Sequence, residues 1–171
     1  MAKSIREQTA ADRGYVDLHE HITALREAGL LFEVDREINK DTEMHPLVRW
    51  QYRGGVEEED RKAWLFNTVT DAKDRKYDIP VLVGGLAANS AVYKLGMGCE
   101  LDEIKETWIK ALNNPIDPLE VPFDEAPCHD LVYEGEDLLN GFGVDQIPVP
   151  ISSPGWDNAP YLSLIHISEP T

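Results

Sequence analysis

Long apolar runs are missing from this 171-residue chain, and no stretch approaches the ~20 residues that a membrane-spanning helix needs. Basic residues are scarce, with 16 Lys and Arg against 32 Asp and Glu, for a formal net charge of -16. Such a surface repels phosphate backbones and anionic lipid, so neither nucleic acid nor a membrane is expected as a partner. Cysteine is nearly absent, and Cys99 and Cys128 are not spaced as a close metal-binding pair. With a polar beginning and no secretory signal, reduced thiols and a cytoplasmic location are expected. Spaced glycines of the dinucleotide type and the Gly-Lys-Ser/Thr of a P-loop are both lacking.

What is present suits an ordinary globular fold, with 42% hydrophobic and 28% charged residues. Residues 1–14 are polar, unpatterned and expected to fray. From Asp17, Leu18, Ile22 and Leu25 fall at helical spacing, with Asp17 as cap and Gly29 as stop. Leu30 to Val34 reads as a strand closed by Asp35-Arg36-Glu37. A second helix runs through Leu47, Trp50 and Gln51 to Arg53, and Pro46 requires that it begin later than Thr42. Glu57 to Lys62 reads as a solvated connection. Strands are predicted at Ala63–Thr68 and Ile79–Val83, with a polar loop at Asp71–Asp78 between them. Gly84-Gly85 leads into a helix through Ala91 and Leu95, and a further helix sets Leu101, Ile104, Trp108 and Leu112 on one stripe. The order predicts an α/β (α+β) fold in which helices cover a small sheet over residues 15–118.

Beyond that boundary the texture changes. Val121-Pro122-Phe123, Leu131-Val132-Tyr133 and Ile147 to Ile151 are short extended pieces between turns, which reads as the start of a β-rich unit over residues 119–161. Residues 147–161 hold Pro148, Pro150, Pro154 and Pro160, so neither a helix nor a central strand accommodates them. A stiff polar loop of this kind serves either as a binding rim or as a plain connector. Ser153, Pro154, Asp157, Asn158 and Tyr161 are the candidate pocket-rim residues. The alternative is that Asp157 and Asn158 only fix the turn while Tyr161 packs beneath it.

Other candidates resolve toward structure. On a helix His19 and His21 point about 200° apart and cannot share an ion, so His19-Glu20-His21 reads as surface polar residues. Gly84-Gly85 has the placement of a phosphate-cradling turn, but a tight strand-to-helix turn accounts for it. Cys128 and His129, adjacent in an extended segment, face opposite ways. Cys99 reads as small-residue packing. Trp50, Trp64, Phe66 and Trp108 fall on the predicted buried stripes and read as core.

The proline-rich loop, together with Asn114-Pro-Ile-Asp-Pro-Leu-Glu-Val-Pro and Ala126-Pro-Cys-His, resembles the N-terminal part of UbiD-family decarboxylases over roughly Tyr15 to Tyr161. The resemblance implies a parent enzyme that uses prenylated FMN with Mn2+ and K+ to decarboxylate, or reversibly carboxylate, a small aromatic or α,β-unsaturated carboxylic acid. It further implies a homo-oligomeric parent assembled largely through C-terminal parts. Residues 119–161 would then begin a split β-barrel flavin-binding domain that is truncated here. The family's Asn, His and Glu metal ligands and its Glu-Arg-Glu acid–base set fall after the position matching Tyr161. No catalytic, cofactor-binding or metal residue is therefore expected in this chain, and the fragment itself is expected to be inactive. Leu162 to Thr171 resembles a translated sequencing-library adapter, and these residues read as a non-native tail. Two other classes stay open: an acidic α/β interaction module and a flavin reductase-like split-barrel protein.

Overall fold

The computed structural model describes residues 17–115, 120–126, 129, 131–140 and 143–151. Its elements are α1 (Leu18–Glu27), β1 (Leu31–Asn39), α2 (Met44–Arg53), β2 (Ala63–Thr70), β3 (Lys76–Tyr77), β4 (Val81–Val83), α3 (Ser90–Met97), α4 (Ile104–Asn113) and α5 (Glu136–Asn140). The α/β class expected from the sequence is borne out.

β2 is the axis of the sheet. It pairs in parallel with β1 on one side, and antiparallel with β3 and β4 on the other. β3 meets Val69 and Thr70 whereas β4 meets Trp64 to Phe66, so the two short strands lie end to end along one edge of β2. Pro80, which has no N–H to donate, stands in the break between them.

Alternation along the strands separates two apolar clusters. Phe66 and Val34, paired across β1 and β2, pack with Met44 and Val48 of α2, and Trp64, Val81 and Val83 lean on the same cluster. Ala63 packs instead with Leu25 of α1 and with Ala88 and Val92 at α3, joined by Leu31 and Leu82. The parallel β1–α2–β2 crossover and the two helices α1 and α3 thus cover both faces, each burying its own stripe. Fully burying one such side chain as Phe66 or Leu25 contributes about 1.5–3 kcal/mol.

Helix ends follow local chemistry. The Asp17 carboxylate caps α1 by accepting from the amide of Glu20 at 3.1 Å, and Gly29 leaves the helix at φ 70°. α2 begins at Met44, which puts Pro46 in the first turn, where its missing N–H costs nothing. The Asn89 side chain caps α3 by accepting from Val92 N at 2.7 Å.

Three expectations need correction. β1 does not close at Asp35-Arg36-Glu37 but bulges there and continues to Asn39, because the charged side chains turn outward to partners: Asp35 to Asn67, Arg36 to Glu43 and Glu37 to Lys76. The supposed loop Asp71–Asp78 contains β3. Trp50 and Trp108 are not core: they are 59% and 52% exposed, since α2 buries Met44, Val48 and Gln51 and α4 buries no residue. The described residues of 119–161 form short helical turns and α5, with no strand among them.

Candidate functional site

Parallel strands release their chains at the same edge, and in open α/β sheets that edge is where ligands are bound. Here the chain leaves β1 into Lys40 and Asp41, and leaves β2 into Asp71. The Asn39 carboxamide oxygen accepts the amides of Asp41 at 2.9 Å and Thr42 at 3.2 Å, which bends the chain sharply after β1. Lys40, only 4% exposed, is drawn inward: its amide donates to Thr70 O at 2.8 Å and its ammonium to Asp41 Oδ1 at 2.6 Å. The same ammonium lies 5.8 Å from the centre of the Tyr77 ring. Asp41 uses its other oxygen, Oδ2, to accept from Ala72 N at 3.0 Å, and so joins the two strand ends.

Asp71 organises the turn between β2 and β3. Its Oδ1 accepts the amides of Lys73 at 2.8 Å and Arg75 at 3.0 Å, and its Oδ2 accepts the Tyr77 hydroxyl at 3.0 Å. Asp74 takes a left-handed φ of 61° within the turn, which an aspartate tolerates. Burial alone would raise the Asp71 carboxyl, but the two amides, the Tyr77 hydroxyl and the Arg75 charge together hold it below its ordinary range. Tyr77 is pushed up, first by burial and then by the carboxylate that accepts its proton.

From this knot one arm reaches the far end of the described chain. Arg75 Nη1 donates to Asp145 O at 2.7 Å and to its carboxylate at 2.8 Å. That clamp holds the helical turn Val144–Gln146, immediately before Ile147 and the buried Pro148. The cluster therefore fixes where the approach to the proline-rich loop begins. Ser153, Pro154, Asp157, Asn158 and Tyr161 themselves lie outside the described residues, as does the tail 162–171. Sequence reading missed the Lys40–Asp41–Asp71–Tyr77–Arg75 knot. Its one available signal was Asp71 at a strand end followed by charged turn residues.

The remaining candidates separate cleanly. His19 is exposed, but His21 is not the surface residue expected: it is 5% exposed, and its Nε2 donates to Gly85 O at 2.7 Å. The carbonyl requires that Nε2 carry the proton. Gly84-Gly85 is indeed a tight strand-to-helix turn: Gly84 takes φ 72°, and a Cβ on Gly85 would meet Leu82 Cδ2 at 2.6 Å. The amide and hydroxyl of Ser90 at the start of α3, where a phosphate would seat, are taken by the Glu58 carboxylate, with the hydroxyl 2.8 Å away. Those bonds, the hydroxyl first and the amide second, lower the Glu58 carboxyl. His129 lies against the Phe123 ring at 3.8 Å and its Nδ1 meets Phe123 O at 2.8 Å; Cys128 is outside the described residues. Cys99 is half-buried and free.

Among the described residues no three His, Cys, Asp or Glu side chains converge as a metal site would require. A flavin phosphate finds no open cradle at Gly84-Gly85, because Glu58 already serves that helix start. A shallow groove of about 320 Å³ on α2, lined by His45, Pro46, Arg49, Trp50, Arg53 and Gly54, is too open to enclose a flavin ring. These candidate places among the described residues thus do not fit a resident flavin or metal, and the polar groups of the Lys40–Asp41–Asp71–Tyr77 knot are committed to holding one another.

The fold is a mixed α/β layer whose strand-end knot is tied to Asp145 by Arg75. The chain is similar to gallate decarboxylase from Lactiplantibacillus plantarum, 26% identical over 135 residues. That match takes in 77% of this chain and 26% of the relative, so the chain spans about a quarter of that protein's length. The resemblance to UbiD-family decarboxylases read from the motifs is borne out by this match. Two solved structures are also similar: an evolved dimeric form of the UbiD-class enzyme HmfF from Pelotomaculum thermopropionicum in complex with prFMN, and HmfF from the same organism with FMN. The first is 23% identical with a TM-score of 0.46, the second 24% identical with a TM-score of 0.44, and each match covers 58% of this chain and 20% of that chain. No family model matches.

Proposed function

We propose that this chain is the N-terminal portion of a prenylated-FMN-dependent decarboxylase, or reversible carboxylase, acting on an aromatic or α,β-unsaturated carboxylic acid. The observation that carries the reading is the 135-residue match to gallate decarboxylase, which takes in 77% of this chain. In this reading residues 15–118 are the positioning layer and residues 119–161 open the split β-barrel. Ser153, Pro154, Asp157, Asn158 and Tyr161 rim its pocket. Prenylated FMN, Mn2+ and K+ belong to the parent, a cytoplasmic homo-oligomer, and the flavin supplies the carbon chemistry when bound.

This chain's own contribution is orientation. Asp71, Tyr77 and Arg75 hold Asp145, and through it the approach to the rim, so that the downstream barrel is presented in one place. No step of the reaction is assigned to the described residues, and the fragment alone is inactive.

Sequencing the gene beyond codon 161 tests the reading. Continuation into a strand bearing an Asn followed closely by Ile-x-Arg supports it. A natural stop codon after Thr171 contradicts it and favours a self-contained interaction module.

A further inference from the structure

Against the chain's net charge of -16, the outer face of α2 concentrates the opposite sign. Arg49 and Arg53 stand four residues apart along the groove that His45, Pro46 and Trp50 also line. Arg49, Trp50 and Arg53 are exposed, and neither arginine has an ion-pair partner among the described residues. The indole of Trp50 folds back over Gly54, where a Cβ would stand 2.6 Å from its Nε1. An exposed tryptophan framed by arginines is the composition that dominates binding energy at protein interfaces.

The complementary surface begins three residues beyond Gly54. Glu57-Glu58-Glu59-Asp60 forms an exposed turn. Of its four carboxylates only Glu58 is used, at Ser90; Glu57, Glu59 and Asp60 have no partner among the described residues. Gln51, whose amide group bonds Lys62 O at 2.9 Å and Lys62 N at 3.0 Å, and Tyr52, whose ring lies 5.6 Å from the Arg61 guanidinium, pin this segment to other faces of α2. The molecule thus keeps a cationic groove and an acidic turn side by side without pairing them.

A two-fold axis between them would pair both at once, each copy's acidic turn entering the other's groove, which is the self-complementarity an isologous dimer requires. We propose that α2 is a homodimer interface in which the Glu57–Asp60 turn of one copy docks on Arg49, Trp50 and Arg53 of another. This inference does not rest on the decarboxylase reading. It differs from assembly through C-terminal parts, because both halves of the contact lie in residues 45–60.

Sedimentation velocity on the full 171-residue chain, with two charge-reversal variants, tests it. Arg49→Glu/Arg53→Glu and Glu57→Lys/Glu59→Lys should each weaken the dimer by at least about tenfold, because each sets like charges against each other. The second variant is less acidic than the parent, so a loss of assembly there cannot come from general repulsion. Mixed in equal amounts, the two variants should form a heterodimer, since every reversed groove then meets a reversed turn. A monomeric parent chain overturns the proposal. So does a dimer indifferent to either pair of substitutions, or a pair of variants that fails to recombine when mixed.

Discussion

Arg75 and Asp145 stand seventy residues apart in the chain, and the guanidinium of one donates to both the carboxylate and the backbone carbonyl of the other, at 2.8 and 2.7 Å. The clamp joins the β2–β3 hairpin to the last described segment. Both side chains are partly exposed, so the pair holds position more than it stabilises the fold. Arg75→Ala is expected to cost about 0.5 kcal/mol in global stability. Amide exchange over residues 143–151 should nevertheless rise selectively. Unchanged exchange there would remove the positioning role.

Asp71 makes the hairpin sensitive to acid. Its carboxyl sits below the ordinary value of 3.8, so its stabilisation is complete above that value and is lost as pH falls through the lower folded value. Urea unfolding followed from about pH 6 to about pH 2 should show the parent losing stability more steeply than Asp71→Asn. At neutral pH the substitution should cost about 1–3 kcal/mol, because the buried Tyr77 hydroxyl and two amides lose a charged acceptor.

Glu58 should behave similarly at the start of α3. Its carboxyl is held below 4.5 chiefly by the Ser90 hydroxyl, so the bond is intact above that value and is lost as pH falls through the lowered one. Glu58→Ala should speed exchange of the Ser90 amide at neutral pH. Added phosphate should partly restore its protection in the variant and leave the parent unaffected.

His21 tests the link between α1 and the β4–α3 turn. His21→Leu leaves the Gly85 carbonyl without its donor and should lower unfolding stability by about 1–3 kcal/mol. His21→Gln, which still carries a donor, should recover part of that loss in the same denaturant titration.

Much of the layer was legible because its signals are local. Asp17 and Gly29 bound α1, Pro46 sets the earliest start for α2, and Gly84-Gly85 marks a turn. What escaped depends on partners remote in sequence. The charges of Asp35-Arg36-Glu37 read as a strand end, and only Asn67, Glu43 and Lys76 show why the strand continues past them. Trp50 and Trp108 carry apolar character that periodicity assigns to a core, yet α2 and α4 turn them outward. His21 reads as surface until the Gly85 carbonyl is brought to it from 64 residues away. The candidate rim was read from the proline-rich motifs alone, and its residues lie outside the described ones. The Lys40–Asp71–Tyr77 knot arises where two parallel strands end together, and no local pattern announces that.

The most direct measurement compares this chain with the intact gene product, both matured with prenylated FMN and assayed for carbon dioxide release from aromatic and acrylic acids. The account predicts flavin absorbance and turnover in the intact protein and neither in the 171-residue chain. Flavin retained and acid decarboxylated by this chain alone, or an intact product inert toward every acid while fully loaded, would contradict it.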